Sequence, residues 1–99
     1  MSEDKNNEEK VRKHVYITGR VQGVGFRAFT RRNASQFGVK GWVKNLFDGR
    51  VEAVLSGGKD DVGQMINKLR QGPSMAMVQD IEVKDEEYQN QFSRFQIKY

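Results

Sequence analysis

Apolar and polar side chains alternate through Val11-Arg12-Lys13-His14-Val15-Tyr16-Ile17-Thr18, the period of a strand with one buried face. From Phe26 the rhythm changes. Phe26, Phe29, Ala34 and Phe37 recur at helical intervals, and Gly38 supplies the stop. Val39 to Leu46 reads as a second strand and Val51 to Ser56 as a third. Asp48-Gly49 lies between them, and that pair predicts a two-residue type I′ turn with positive φ at both central positions. Gly57-Gly58 ends the third strand. Acidic Asp60 and Asp61 then stand where a helix dipole favours them, Val62, Met65, Ile66 and Leu69 follow at i, i+3, i+4 and i+7, and Gly72-Pro73 closes the helix. Met77-Val78 with Ile81 to Lys84 gives a fourth strand, Asp85-Glu86-Glu87 an acidic turn. Phe92 to Tyr99 is a final strand with Phe95, Ile97 and Tyr99 on one face.

The order is strand, helix, strand, strand, helix, strand, with one more strand at the end. It predicts an α+β, ferredoxin-like βαββαβ sandwich: a mostly antiparallel sheet, two helices on one of its faces, and the extra C-terminal strand. That fold hosts many activities, so function has to be read from a site.

Composition narrows the chemistry. The chain has 99 residues, no cysteine and one histidine, which excludes a disulfide framework, a thiolate nucleophile and a cysteine or histidine metal cluster. His14 reads as a packing or edge residue of a strand. Residues 1–10 are too polar to join a core and are expected to form a disordered tail, leaving 11–99 as one domain. The net charge is +4, and because the tail is acidic the folded part is more basic still. Arg20, Arg27, Arg31, Arg32, Lys40, Lys44 and Arg50 lie close together in the chain, a field that attracts small anions or nucleic acid alike. No apolar stretch is long enough for a membrane span and no signal-peptide pattern is present, so a cytoplasmic monomer with no membrane partner is expected.

The candidate chemistry sits at Gly19-Arg20-Val21-Gln22-Gly23-Val24-Gly25-Phe26-Arg27, a glycine-rich turn between the first strand and the first helix. A helix N-terminus carries unpaired N–H groups and partial positive charge, and glycines beside it remove the Cβ atoms that would hold an oxyanion away. Arg27 adds a planar fork matched to phosphate oxygens. The spacing is neither G-x-G-x-x-G nor a nucleotide P-loop. The plainer alternative is that Gly23 and Gly25 only permit a tight turn. Asn45, three residues before the Asp48-Gly49 turn, offers a donor and an acceptor on one uncharged group, although an asparagine at a strand end also serves to bond its own backbone.

Two segments, GRVQGVGFR at 19–27 and GWVKNLFDGRVE at 41–52, resemble the acylphosphatase family, and Gly72-Pro73 and Phe95-x-Ile97 match its later landmarks. The similarity spans about residues 13–99. It implies hydrolysis of the carboxyl–phosphate bond of small acyl phosphates, releasing inorganic phosphate, with neither metal nor cofactor. Carried over by position, it implies a phosphate cradle of Gln22, Gly23, Val24, Gly25, Phe26 and Arg27. Arg27 is then the binding arginine and Asn45 the residue that orients water. Phe47 stands where many bacterial members have proline. Two other functions remain open. One is a cradle that binds phosphate or carbamoyl phosphate without turnover, since similar segments open the large hydrogenase-maturation carbamoyltransferases. The other is an RNA-binding domain of the same element order, against which stands the lack of aromatics on the third strand and of an RNA-recognition signature, so no nucleic-acid partner is expected. Tyr16 and Trp42 read as core or surface packing.

Overall fold

A computed structural model describes residues 9–99. Its elements are β1 (Lys10–Arg20), α1 (Phe26–Phe37), β2 (Lys40–Asn45), β3 (Val51–Gly58), α2 (Lys59–Gln71), β4 (Met77–Glu86) and β5 (Phe95–Ile97). The sheet order is β4-β1-β3-β2-β5. All pairings are antiparallel except β2 with β5. Both helices pack on one face, giving the ferredoxin-like sandwich that the element order predicts.

The period-two pattern of β1 does the sorting. Val15 and Ile17 are fully buried under the helices with Ala53 and Val51, their partners on β3. Arg12, His14 and Tyr16 point to the other face. Helix α2 buries Val62, Met65, Ile66 and Leu69, the stripe its spacing predicts. Helix α1 differs. It buries Phe26, Thr30, Asn33 and Ala34, while Phe29 and Phe37 are only partly buried. The two polar members fit because each bonds back within the helix: Thr30 Oγ1 donates to the Phe26 carbonyl at 2.8 Å and Asn33 Nδ2 to that of Phe29 at 2.8 Å.

Several boundaries move. Most of the expected tail, residues 1–8, lies outside the described residues, but Lys10 opens β1 opposite Gly58 and the Glu9 carbonyl accepts the Lys59 N–H at 2.9 Å. Strand β3 runs on through Gly57-Gly58. Strand β4 continues through Asp85 and Glu86, because Lys13 and Arg12 of β1 offer them both backbone pairing and ionic partners. Only Phe95 to Ile97 of the final run pair as strand.

The hairpin corrects the turn type. Leu46 N–H donates to the Arg50 carbonyl at 2.8 Å and Gly49 N–H to the Leu46 carbonyl at 3.2 Å, so the loop is three residues long. Gly49 has φ +98° and among the described residues no non-glycine has positive φ, so Asp48 does not adopt the type I′ conformation. Asp48 instead accepts the Arg50 N–H at 3.1 Å and its side-chain Nε at 2.9 Å, and the backbone bond is the main reason its carboxyl is held below the usual carboxylate range.

His14 is not at an edge. On central strand β1 it faces away from the helices, with Nε2 2.6 Å from Glu52 and Nδ1 2.8 Å from Glu86. Its ring stacks on Tyr16 at 4.9 Å and meets Trp42 edge-on at 6.0 Å. The bond to His14, with Arg12 beside it, lowers the Glu86 carboxyl below its ordinary value, whereas burial and neighbouring Glu52 raise the Tyr16 phenol. Tyr16 and Trp42 lie on this open face, each flanked by cations: Arg50 and Lys84 at Tyr16, Lys44 and Lys98 at Trp42.

Candidate active site

Between β1 and α1 the chain turns on glycines. Gly23 has φ +75° and Gly25 φ +78°, left-handed conformations that a side chain disfavours, and a Cβ on either would meet nothing within 4 Å. The space above them is therefore open. Gly25 caps α1 without a side-chain hydrogen bond, and no acidic residue stands in the first turn. The first ladder bond runs from Phe29 N–H to the Gly25 carbonyl at 3.0 Å, so the N–H groups of Phe26, Arg27 and Ala28 have no acceptor within the helix. This end of α1 is an uncapped positive pole.

A cavity of about 180 Å³ opens on it, lined by Val21, Gly23, Gly25, Phe26, Arg27, Ala28, Asn45, Ile97 and Tyr99. Arg27 comes from the first turn of α1 and Asn45 from the last residue of β2, so the fold brings together residues that sequence spacing could not. Of the expected cradle, Gly23, Gly25, Phe26 and Arg27 line this cavity, while Gln22 and Val24 do not. Val24 packs on the core. Gln22 turns its amide to the hairpin and donates from Nε2 to the carbonyls of Leu46 at 2.7 Å and Arg50 at 2.9 Å. It clamps the loop that follows Asn45.

Tyr99 is the residue that sequence reasoning missed. Strand β5 runs parallel to β2 with Val43 opposite Ile97, so two residues further along, Tyr99 draws level with Asn45. Its ring lies 4.7 Å from the Arg27 guanidinium carbon. A cation over an aromatic face keeps its charge and is held in direction. The signal available was the alternation of Phe95, Ile97 and Tyr99, which gave the face but not the neighbour. A second cavity of about 430 Å³ adjoins the first, shares Asn45 and Tyr99 with it, and is lined also by Gln22, Lys44, Leu46 and Phe47.

The polar groups facing the smaller cavity are amide and guanidinium donors, one carboxamide and one phenol. No Asp, Glu or His side chain lines it. Such a set holds an anion rather than a cation, and among the described residues no three of His, Cys, Asp and Glu converge to hold a metal. No described helix is long and apolar enough to cross a membrane.

The chain is similar to known proteins over most of its length. The family model described as Acylphosphatase matches residues 13–97. An acylphosphatase of Syntrophobacter fumaroxidans is 47% identical over 91 residues, covering 92% of this chain and 94% of its own. That of Syntrophus aciditrophicus is 51% identical over 88 residues, 89% and 92% of the two chains. The crystal structure of acylphosphatase from Bacillus subtilis superposes with a TM-score of 0.87 at 35% identity, covering 90% of this chain and 99% of that one. With the family model and full-length relatives agreeing over nearly the whole domain, this chain belongs to the acylphosphatase family.

Proposed function

We propose that the chain hydrolyses the carboxyl–phosphate bond of small acyl phosphates by direct in-line attack of water, with Arg27 binding the phosphoryl group and Asn45 orienting the water. The observation that carries this reading is the convergence of Arg27, Asn45 and two positive-φ glycines on one cavity at an uncapped helix N-terminus. The phosphoryl oxygens take the backbone donors of Gly23 to Ala28 and the guanidinium, which stabilise charge as it redistributes. Water bonds to phosphorus while the bond to the carboxyl oxygen breaks, and the electron pair leaves with the carboxylate. No side chain lining the cavity is an obvious base, so the proton of the attacking water passes to the phosphoryl oxygens of the substrate. A carboxylate is a good leaving group, and positioning supplies most of what the reaction needs.

The test is hydrolysis of benzoyl phosphate with EDTA present. Arg27→Ala is expected to raise KM and lower kcat; Asn45→Ala is expected mainly to lower kcat, by roughly a hundred- to thousandfold, the usual cost of one preorganised transition-state donor. Near-native turnover in Asn45→Ala would remove it from the mechanism. Phosphate or carbamoyl phosphate binding without any turnover in the parent protein would leave a ligand-binding cradle and overturn hydrolysis.

A further inference from the structure

A further cavity lies away from the one at Arg27. It measures about 460 Å³ and lies between the second half of α1, the start of β2 and the start of β5. Four cations line it: Arg31 and Arg32 on α1, Lys40 opening β2, and Arg94 preceding β5. No acidic residue does. None of the four forms an ion pair or a side-chain hydrogen bond with another described residue. Elsewhere, Arg12, Lys13, Lys44, Arg50, Lys59 and Lys84 each lie against a carboxylate, while Lys10, Arg20, Arg27, Lys68, Arg70 and Lys98 are spread singly over the surface or, for Arg27, stand at the other cavity.

Like charges gathered around one concavity repel, and the repulsion is relieved when an anion enters. We infer that this cavity is a second anion site, one that takes a small polyphosphate, free or carried on a nucleoside. Three of the four cations are arginines, whose forks match phosphate oxygens in pairs, and four positive charges match a chain of several phosphates better than a single carboxylate. The floor is apolar, with Ala34 and Val39 buried beneath the rim. The volume lies in the range of small-molecule sites and leaves room for a nucleoside beside the phosphates. The walls are fixed: Gly41 N–H donates to the Arg94 carbonyl at 3.1 Å, and Val39 N–H to that of Ala34 at 2.8 Å. The site shares no lining residue with the cavity at Arg27.

The experiment is a titration of backbone amide shifts with tripolyphosphate and, separately, with ATP, at low ionic strength with EDTA, on the parent protein and on Arg27→Ala. Saturable shifts at Ser35, Gly38 and Lys40 are expected in both proteins. Double substitution Arg31→Gln with Arg94→Gln, at exposed positions, should weaken binding roughly tenfold or more through lost charge-assisted bonds while benzoyl phosphate hydrolysis is retained. Tighter binding of ATP than of tripolyphosphate would place a nucleoside on the apolar floor. Equal binding would make the phosphate chain the whole ligand. The inference is overturned if shifts are confined to Gly23 and Gly25, if the double variant binds as the parent does, or if only long oligonucleotides bind.

Discussion

Replacing Gln22 by alanine separates two roles that its position in the glycine loop confounds. If the side chain clamps the hairpin, Gln22→Ala deletes two neutral hydrogen bonds, to the carbonyls of Leu46 and Arg50. Such bonds contribute about 0.5–1.5 kcal/mol each. Neither carbonyl is orphaned, because that of Leu46 still accepts Gly49 N–H and that of Arg50 still accepts Leu46 N–H. The loss therefore stays near the lower half of the summed range, about 1–2 kcal/mol. With a urea dependence of about 1–2 kcal/mol per molar for a domain this small, the unfolding midpoint should fall by roughly 1 M. Asn45 directly precedes the clamped loop, so kcat for benzoyl phosphate should fall more than KM rises. Gln22→Glu retains the length but puts a carboxylate against two carbonyl oxygens, and should be at least as destabilised. An unchanged urea midpoint with a raised KM, the pattern expected of Arg27→Ala, would refute the clamp and put the amide on the phosphate.

Gly25→Ala places a side chain in a left-handed conformation, expected to cost about 1–2 kcal/mol, and projects a methyl into the open cradle; a weakened inhibition by inorganic phosphate checks the second effect. Phe47→Pro should raise stability by about 0.5–1 kcal/mol in urea unfolding, because Phe47 is fully exposed and occupies the second position of the Leu46–Gly49 turn, where proline is preset. Glu86→Gln should destabilise the protein near neutral pH and much less in acid. The folded carboxyl is held below its ordinary 4.5, so its contribution is present above that value and is lost as pH falls through the lowered one. Unfolding curves of parent and variant that stay equally far apart at both pH values would show that ionisation of Glu86 beside His14 and Arg12 does not contribute to folding.

What could be read from the sequence depended on whether side-chain character and burial agreed. In α2 they agree, and Val62, Met65, Ile66 and Leu69 mark the buried stripe without error. In α1 they part company: Thr30 and Asn33 are buried because they bond to carbonyls one turn back, while the ring of Phe29 stays partly exposed, and no hydropathy pattern carries that exchange. The hairpin was located by Asp48-Gly49, but its type depends on where the ladder ends. Leu46 and Arg50 still pair, which leaves Phe47 in the loop and requires positive φ of Gly49 alone. At the candidate site residue type and loop context singled out Arg27 and Asn45, the family resemblance gave them their roles, and spacing could not tell that the two line one cavity. Tyr99 was not, because it reaches Asn45 through the parallel pairing of β5 with β2, a partnership between strands that local pattern does not encode.

The two anion sites divide along α1 in a way that its electrostatics explains. At its N-terminus unpaired N–H groups and the helix dipole already favour negative charge, so a single arginine completes the cradle there. Toward the C-terminus the dipole has the opposite sign. The carbonyls of Ala34 and Ser35 are taken up by the N–H groups of Val39 and Gly38, which lessens their repulsion without reversing it. An anion there has to be held by side chains, and the fold brings four cations from three segments to that end and no carboxylate. The count of cations at each end, one against four, follows the sign of the backbone's own field.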